Sequence, residues 1–200
     1  MNVPNASQVS SDFLYELKKE TADSHKKLES LPVSASILSP DMKIEDYCHY
    51  LGLMLDVHHQ TETVVFPLLT GIIEDLEKRK KKKLLENDLE FLNCKKETYK
   101  SVFENTAMSV PFAMGVFYVI EGSTLGGRFI LKNVTANEQL FEGNGVSYFS
   151  GYGDKTGSYW KSFLNVLEEY EQRFNCGDEI IKGAVFAFES IYNHFLSTEE

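Results

Sequence analysis

Two features of this sequence could do chemistry: a histidine on the inward line of a first helix, and a stretch of helix backbone almost bare of side chains. Residues 108–132, MSVPFAMGVFYVIEGSTLGGRFILK, are helical in composition yet hold Gly115, Gly122, Gly126 and Gly127 where a helix interior should be. Each interior glycine costs a helix about 1 kcal/mol relative to alanine. With successive residues turned by about 100°, Gly115, Gly122 and Gly126 fall within roughly 40° of one another and make one stripe. Bare backbone suits two neighbours, another helix or a flat ligand, and spacing does not choose between them. Against a ligand, a kinked helix would leave carbonyl and amide groups free to hold it or a water. His25 is the candidate on the other side. A neutral imidazole ligates a metal through one ring nitrogen while a neighbour such as Glu29, four residues on, holds the second. Taken alone, a histidine in such a place is as a rule a satisfied core residue.

The elements that would position these residues read as helices. Ser11 or Asp12 can cap a first helix whose inward line is Leu14, Leu17, Thr21, His25 and Leu28, and Pro32 marks its end. A long second helix carries Ile44, Tyr47, Leu51, Met54, Leu55, His58, Val65 and Leu69, with Pro67 expected to kink or end it. His58 and His59 are the rival ligands, but adjacent helical residues point about 100° apart and cannot share one ion. His58 is expected to face the core and His59 water, with His49 and His194 on the surface. The run from Lys78 to Lys83, KRKKKK, reads as a solvated helix face that could also dock an acidic electron donor. Leu84 to Tyr99 reads as a further helix. Ser109 can cap the glycine-bearing helix, with Pro111 in its first turn. After Val134 comes a glycine-rich loop pinned by Tyr148, Phe149 and Tyr152, then two final helices around Trp160, Phe163 and Leu167, and around Ile180, Val185, Phe188 and Ile191. No strand pattern is present. The expectation is an all-α fold of about seven or eight helices, with residues 1–10 a disordered tail and 11–200 one domain.

Totals narrow the function classes. A length of 200 residues, 42% hydrophobic and 25% charged, suits one globular domain with a substantial core. A formal charge of −10 argues against a nucleic-acid binder and against an anionic membrane surface. Cys48, Cys94 and Cys176 are odd in number and lack CxxC spacing, so neither a disulfide framework nor a zinc site is indicated and a reducing compartment fits. The start MNVPNASQVSSD has no basic and apolar export pattern, and no apolar run reaches the length of a membrane span. A cytoplasmic location is expected.

Residues 118–127, YVIEGSTLGG, resemble the distal helix of the bacterial heme oxygenases. Residues 17–29, LKKETADSHKKLE, are similar to that family's first helix, which supplies the proximal histidine, and 152–163, YGDKTGSYWKSF, to the segment ahead of its penultimate helix. The three come in family order and span about residues 11–196. The resemblance implies a single-domain heme oxygenase-like multi-helix bundle with heme as both substrate and cofactor. His25 would then bind the iron, supported by Glu29, and Gly122, Ser123, Gly126 and Gly127 would form the catalytic distal backbone. Lys18 and Tyr118 match propionate-contacting positions, with Lys132 and Lys161 as looser candidates. The implied reaction opens heme to biliverdin, carbon monoxide and ferrous iron, consuming dioxygen and electrons from a ferredoxin or an NADPH-dependent reductase. In animal members an aspartate follows the first distal glycine. Ser123 stands there in this chain, as in the bacterial pattern, so waters held near the Gly122 carbonyl and by the Ser123 hydroxyl would carry the protons. The alternative is a heme carrier or sensor that binds the ring on the same fold and leaves it whole. A thiaminase-like enzyme is the more distant alternative, and it needs a cysteine in the pocket.

Overall fold

A computed structural model describes residues 6–103, 107–136, 140–141 and 144–197. In chain order the helices are α1 (Ala6–Glu29), α2 (Pro32–Ser36), α3 (Ile44–Gln60), α4 (Phe66–Leu69), α5 (Leu76–Arg79), α6 (Lys82–Phe91), α7 (Val110–Val134), α8 (Ser147–Ser150), α9 (Thr156–Phe174) and α10 (Gly177–Leu196). The fold is all-α, and among the described residues the only β-type pairing is an isolated bridge between Phe141 and Asn144. Six of these helices are long, and four are one-turn pieces that the sequence pattern did not separate. Helix α1 begins at Ala6, ahead of the expected cap at Ser11 or Asp12, so residues 6–10 belong to a helix and only 1–5 of the expected tail lie outside the described residues.

Helix α7 is the centre. Its start follows from local chemistry: the Ser109 hydroxyl accepts a hydrogen bond from the Phe112 amide at 3.3 Å, and Pro111 sits in the first turn, where no amide is needed. Helix α10 lies along α7, and α1 packs on α10 and α9 rather than on α7. The crossing of α7 and α10 is made by glycine. A Cβ on Gly115 would sit 1.9 Å from the Ile180 carbonyl oxygen, and one on Gly183 would sit 2.0 Å from that of Phe112. At Gly126, by contrast, a Cβ would meet nothing within 4 Å. The stripe thus has two uses, with helix packing at one end and open space at the other.

That division gives opposite stability predictions for one substitution. Gly115→Ala forces backbone against backbone and is expected to destabilise the fold by about 3 kcal/mol or more. Gly126→Ala gains helix propensity without a clash and is expected to stabilise by about 0.5–1 kcal/mol. Urea denaturation of the two variants checks the pair, and equal losses would show the stripe to be one packing surface.

Helix α3 continues into a π turn over Thr61–Val65 and then α4. The Thr61 and Thr63 hydroxyls bond back to the Val57 and His59 carbonyls, both at 2.8 Å, and Pro67 brings no amide, so the widened turn coincides with the expected proline kink. Helix α6 stops at Phe91, short of the helix expected to run to Tyr99. Asn93 takes a left-handed φ of 56° and the Cys94 amide turns back to the Leu89 carbonyl at 2.9 Å. The chain then runs as a strap along α3, tied by Gln60, which accepts from the Val102 and Phe103 amides at 2.8 and 2.6 Å. Asp56, fully buried, accepts from the Lys100 amide at 3.0 Å and pairs with the Lys96 ammonium.

Two expectations are overturned here. His194 is buried beside Asp56, at 3.1 Å, because α10 carries it inward to the carboxylate. Cys48 and Cys94 form a disulfide with Cα atoms 6.0 Å apart, because the strap returns Cys94 to α3. The glycine-rich loop behaves as its aromatics suggested. Phe149 stacks between Tyr47 and Tyr50, and the Tyr47 hydroxyl donates to the Gly145 carbonyl at 2.9 Å.

Candidate active site

Helix α7 presents two working faces over its glycine turn. One carries Tyr118, Gly122, Leu125 and Phe129 at helical spacing. Phe129 is 78% exposed, and Tyr118 rests on the Trp160 ring of α9 with centroids 5.4 Å apart. A Cβ on Gly122 would stand 3.5 Å from the same Trp160 ring, so the glycine keeps this surface flat. Large apolar side chains thus stand in the open beside bare backbone.

His25 leaves the core line it was expected to continue. Leu17 and Thr21 are buried, but at the next turn of α1 the imidazole is 56% exposed. One edge packs against Phe188 of α10 with centroids 5.6 Å apart, and Nδ1 lies 3.5 Å from a Glu29 carboxylate oxygen. Nε2 has no protein partner among the described residues. The imidazole therefore has Glu29 near Nδ1 and leaves Nε2 open. Lys18, Lys132 and Lys161 are all exposed, on α1, α7 and α9 respectively. None of these lysines is bonded or ion-paired to His25.

The other face of α7 carries Ser123, Gly127 and Ile130 and borders a small cavity. Its interior open to water is about 30 Å³, and Tyr50, Lys81, Tyr148, Phe149 and Tyr152 complete its wall. That is room for about two waters. The Ser123 hydroxyl donates to the Ile120 carbonyl at 2.7 Å, which leaves its oxygen lone pairs for a donor on the cavity side. Gly127 is buried against Phe149, with a Cβ position 3.6 Å from that ring.

Beside the glycine turn a buried charge network fixes where α7 sits. Glu121 precedes Gly122 and pairs with the Arg79 guanidinium, while its other carboxylate oxygen accepts from the Tyr152 hydroxyl at 3.0 Å. Arg79 also grips Asp75 at 2.7 and 3.1 Å, the Tyr159 carbonyl at 3.2 Å and the Ser162 hydroxyl at 2.8 Å. Burial works against the guanidinium, and the Asp75 and Glu121 carboxylates outweigh it, so Arg79 is held above its ordinary value. Burial lifts the Glu121 carboxyl above the usual range against the pull of Arg79.

The basic run is therefore only partly a solvated face. Lys80 is extended and points outward, while Arg79 and Lys81 on either side are buried. The Glu62 carboxylate accepts from the Lys81 and Lys82 amides at 2.8 and 2.7 Å and closes the start of α6. On the far wall, His58 faces inward as expected. Its Nε2 is 3.1 Å from the Tyr148 hydroxyl, and burial together with Lys81 brings it down to about 3, so the ring is neutral. Asp88 accepts from the Ser147 and Tyr148 amides, both at 2.8 Å, and so places Tyr148. Sequence reasoning missed Arg79, Lys81, Asp88 and Glu121. The one available signal was Glu121 itself, an acid inside an otherwise apolar helix run.

No cysteine lines the cavity; Cys176 precedes α10, and burial pushes its thiol up. No helix among the described residues is long and apolar enough to cross a membrane.

An all-α bundle with a glycine-bared central helix and an exposed histidine on its first helix is the arrangement to compare with known folds. It is similar to the NO- and CO-bound heme oxygenase from Neisseria meningitidis, with a TM-score of 0.77 and 26% identity over 93% of this chain and 91% of that one. The heme oxygenase from Leptospira interrogans shares the fold at 17% identity, with a TM-score of 0.73 over 92% and 98% of the two chains. Heme oxygenase-1 from the cyanobacterium Synechocystis, in complex with heme, does so at 16% identity, with a TM-score of 0.74 over 94% and 92%. No curated protein is similar enough to match. The heme oxygenase family profile matches residues 11–197, and the chain belongs to that family.

Proposed function

We propose that this chain is an enzyme that binds heme between α1 and the glycine face of α7 and opens it to biliverdin, releasing carbon monoxide and ferrous iron. Dioxygen and electrons from an external donor, a ferredoxin or an NADPH-dependent reductase, would be consumed. The observation that carries this reading is an imidazole with Nε2 unpartnered among the described residues, on a helix that packs chiefly on α10 and α9, together with a glycine-bared α7.

The residues fit the group. His25 offers a nitrogen ligand, and Glu29 beside Nδ1 favours the tautomer that leaves Nε2 free to bind. Gly126 offers space that any side chain would take up, and the flat Tyr118, Trp160 and Gly122 surface suits a planar ring. Lys18, Lys132 and Lys161 are long exposed cations able to meet the two propionates at the mouth of the slot, with the Tyr118 hydroxyl as a further donor. When bound, heme supplies the iron that activates dioxygen for attack on its own ring.

What the protein adds is position and protons. The backbone at Gly122 and Gly126 limits the space above the ring, and Ser123, with its hydrogen committed to Ile120, accepts from water behind it. Glu121, the acid beside the glycine turn, has both oxygens engaged by Arg79 and Tyr152 and offers no proton there. Water in the cavity then carries protons forward. Incubating the hemin complex with a reductant and oxygen tests the reading: the Soret band should fall as a biliverdin absorption grows. A complex that persists under those conditions would make the protein a heme carrier instead.

A further inference from the structure

The cavity behind α7 contains a charge that the reading above does not use. Lys81 is 3% exposed, yet its ammonium makes no hydrogen bond or ion pair among the described residues. Only the backbone amide of Lys81 is engaged by Glu62. The Nζ atom lies over the Tyr152 ring, 3.6 Å from its centroid, and faces the same cavity as Ser123 and Tyr148. An ammonium buried with so little compensation is expensive unless its remaining N–H groups reach water. The cavity provides room for that water and little else.

Resting on the proposed ring-opening activity, we propose that Lys81 is a positioning residue that holds and protonates the water behind Gly122 and Ser123, and so supplies the protons the reaction consumes. Each proton it gives to cavity water leaves a neutral amine, which takes one back from bulk water. The lysine is unchanged over a turnover.

The surroundings suit this role and exclude the neighbours from it. Burial lowers the Lys81 ammonium most, Arg79 adds to that, and Glu121 on α7 and Glu62 in the π turn oppose it, leaving the group at about 8. It is thus largely protonated at neutral pH and able to release a proton. His58 on α3 is neutral, at about 3. The Tyr148 and Tyr152 phenols, raised first by burial, keep their protons. Among the described residues lining the cavity, Lys81 is the group that can both give and regain a proton near neutrality.

The test combines titration of the apoprotein with turnover of the hemin complex. In 15N NMR of the lysine side chains, one resonance, absent from Lys81→Met, should titrate near pH 8 while the surface lysines titrate above it. A Lys81 resonance that titrates with the surface group overturns the proposal. In turnover, Lys81→Met should bind hemin within about twofold of the wild type yet open the ring about tenfold or more slowly at pH 7. The wild-type rate should decline above pH 8, and the variant should lose that decline. Lys81→Gln guards against a variant that simply misfolds, and native helicity with wild-type rate and pH profile in either variant overturns the proposal. No turnover in the wild type overturns the underlying reading as well. Turnover in the wild type with unchanged variants removes the Lys81 role alone.

Discussion

Replacing His25 by alanine is expected to abolish ring opening and to remove the five-coordinate histidine spectrum of the hemin complex. None of the other four histidines lies on α1. His58 is buried with its Nε2 against Tyr148, His59 stacks on Tyr99 with centroids 3.9 Å apart, and His194 sits beside Asp56. None shares the exposed turn of α1. The loss should be chemical and not structural, since a side chain 56% exposed contributes little to the core. Its removal should shift stability by no more than about 0.5 kcal/mol. Absorption spectra of the hemin complex and a denaturation curve, measured on one preparation, separate the two effects. Turnover at the wild-type rate would show the proximal assignment to be wrong.

Arg79→Ala is expected to cost the fold about 3–5 kcal/mol. The substitution leaves Glu121 buried without its counter-charge and strips a donor from the Tyr159 carbonyl and the Ser162 hydroxyl. Arg79→Lys should recover little, because a single ammonium cannot reproduce the two-pronged grip on Asp75 together with the contacts to α7 and α9. Glu121 adjoins Gly122, so the same change should also loosen the glycine turn and weaken hemin binding. Urea denaturation and hemin titration check both consequences. A variant within about 1 kcal/mol of the wild type would mean that the pair is solvated and not structural.

The two predictions differ in how far the sequence alone could reach them. His25 stood out because its neighbours at three- and four-residue steps define a helix face, and helical phase is a local property. Glu29 followed by the same arithmetic. The capping of α7 by Ser109 and the break near Pro67 were equally local. Arg79, in contrast, was hidden inside a basic run, where composition favours a solvated face. Its partner Glu121 is 42 residues away, and only the approach of α5 to α7 makes the arginine a buried anchor.

The same limit explains the cysteines and the strap. Cys48 and Cys94 are 46 residues apart, and nothing in their spacing announces that the chain leaves α6 early and returns along α3. A left-handed residue at Asn93 and the carboxylate of Asp56 decide that path. His194 joins the carboxylate only because α10 ends beside it.

By itself the sequence determined most of the long helices, the greater part of their buried lines and the bare glycine stripe, because each depends on residues within a turn or two of one another. It also determined the likeness to a family, carried by literal strings. Only the tertiary structure decided that Gly115 packs against α10 while Gly126 faces open space, and that Lys81 turns into a cavity instead of water. A side chain's direction is set by its own helix, but what meets it is set by elements far along the chain.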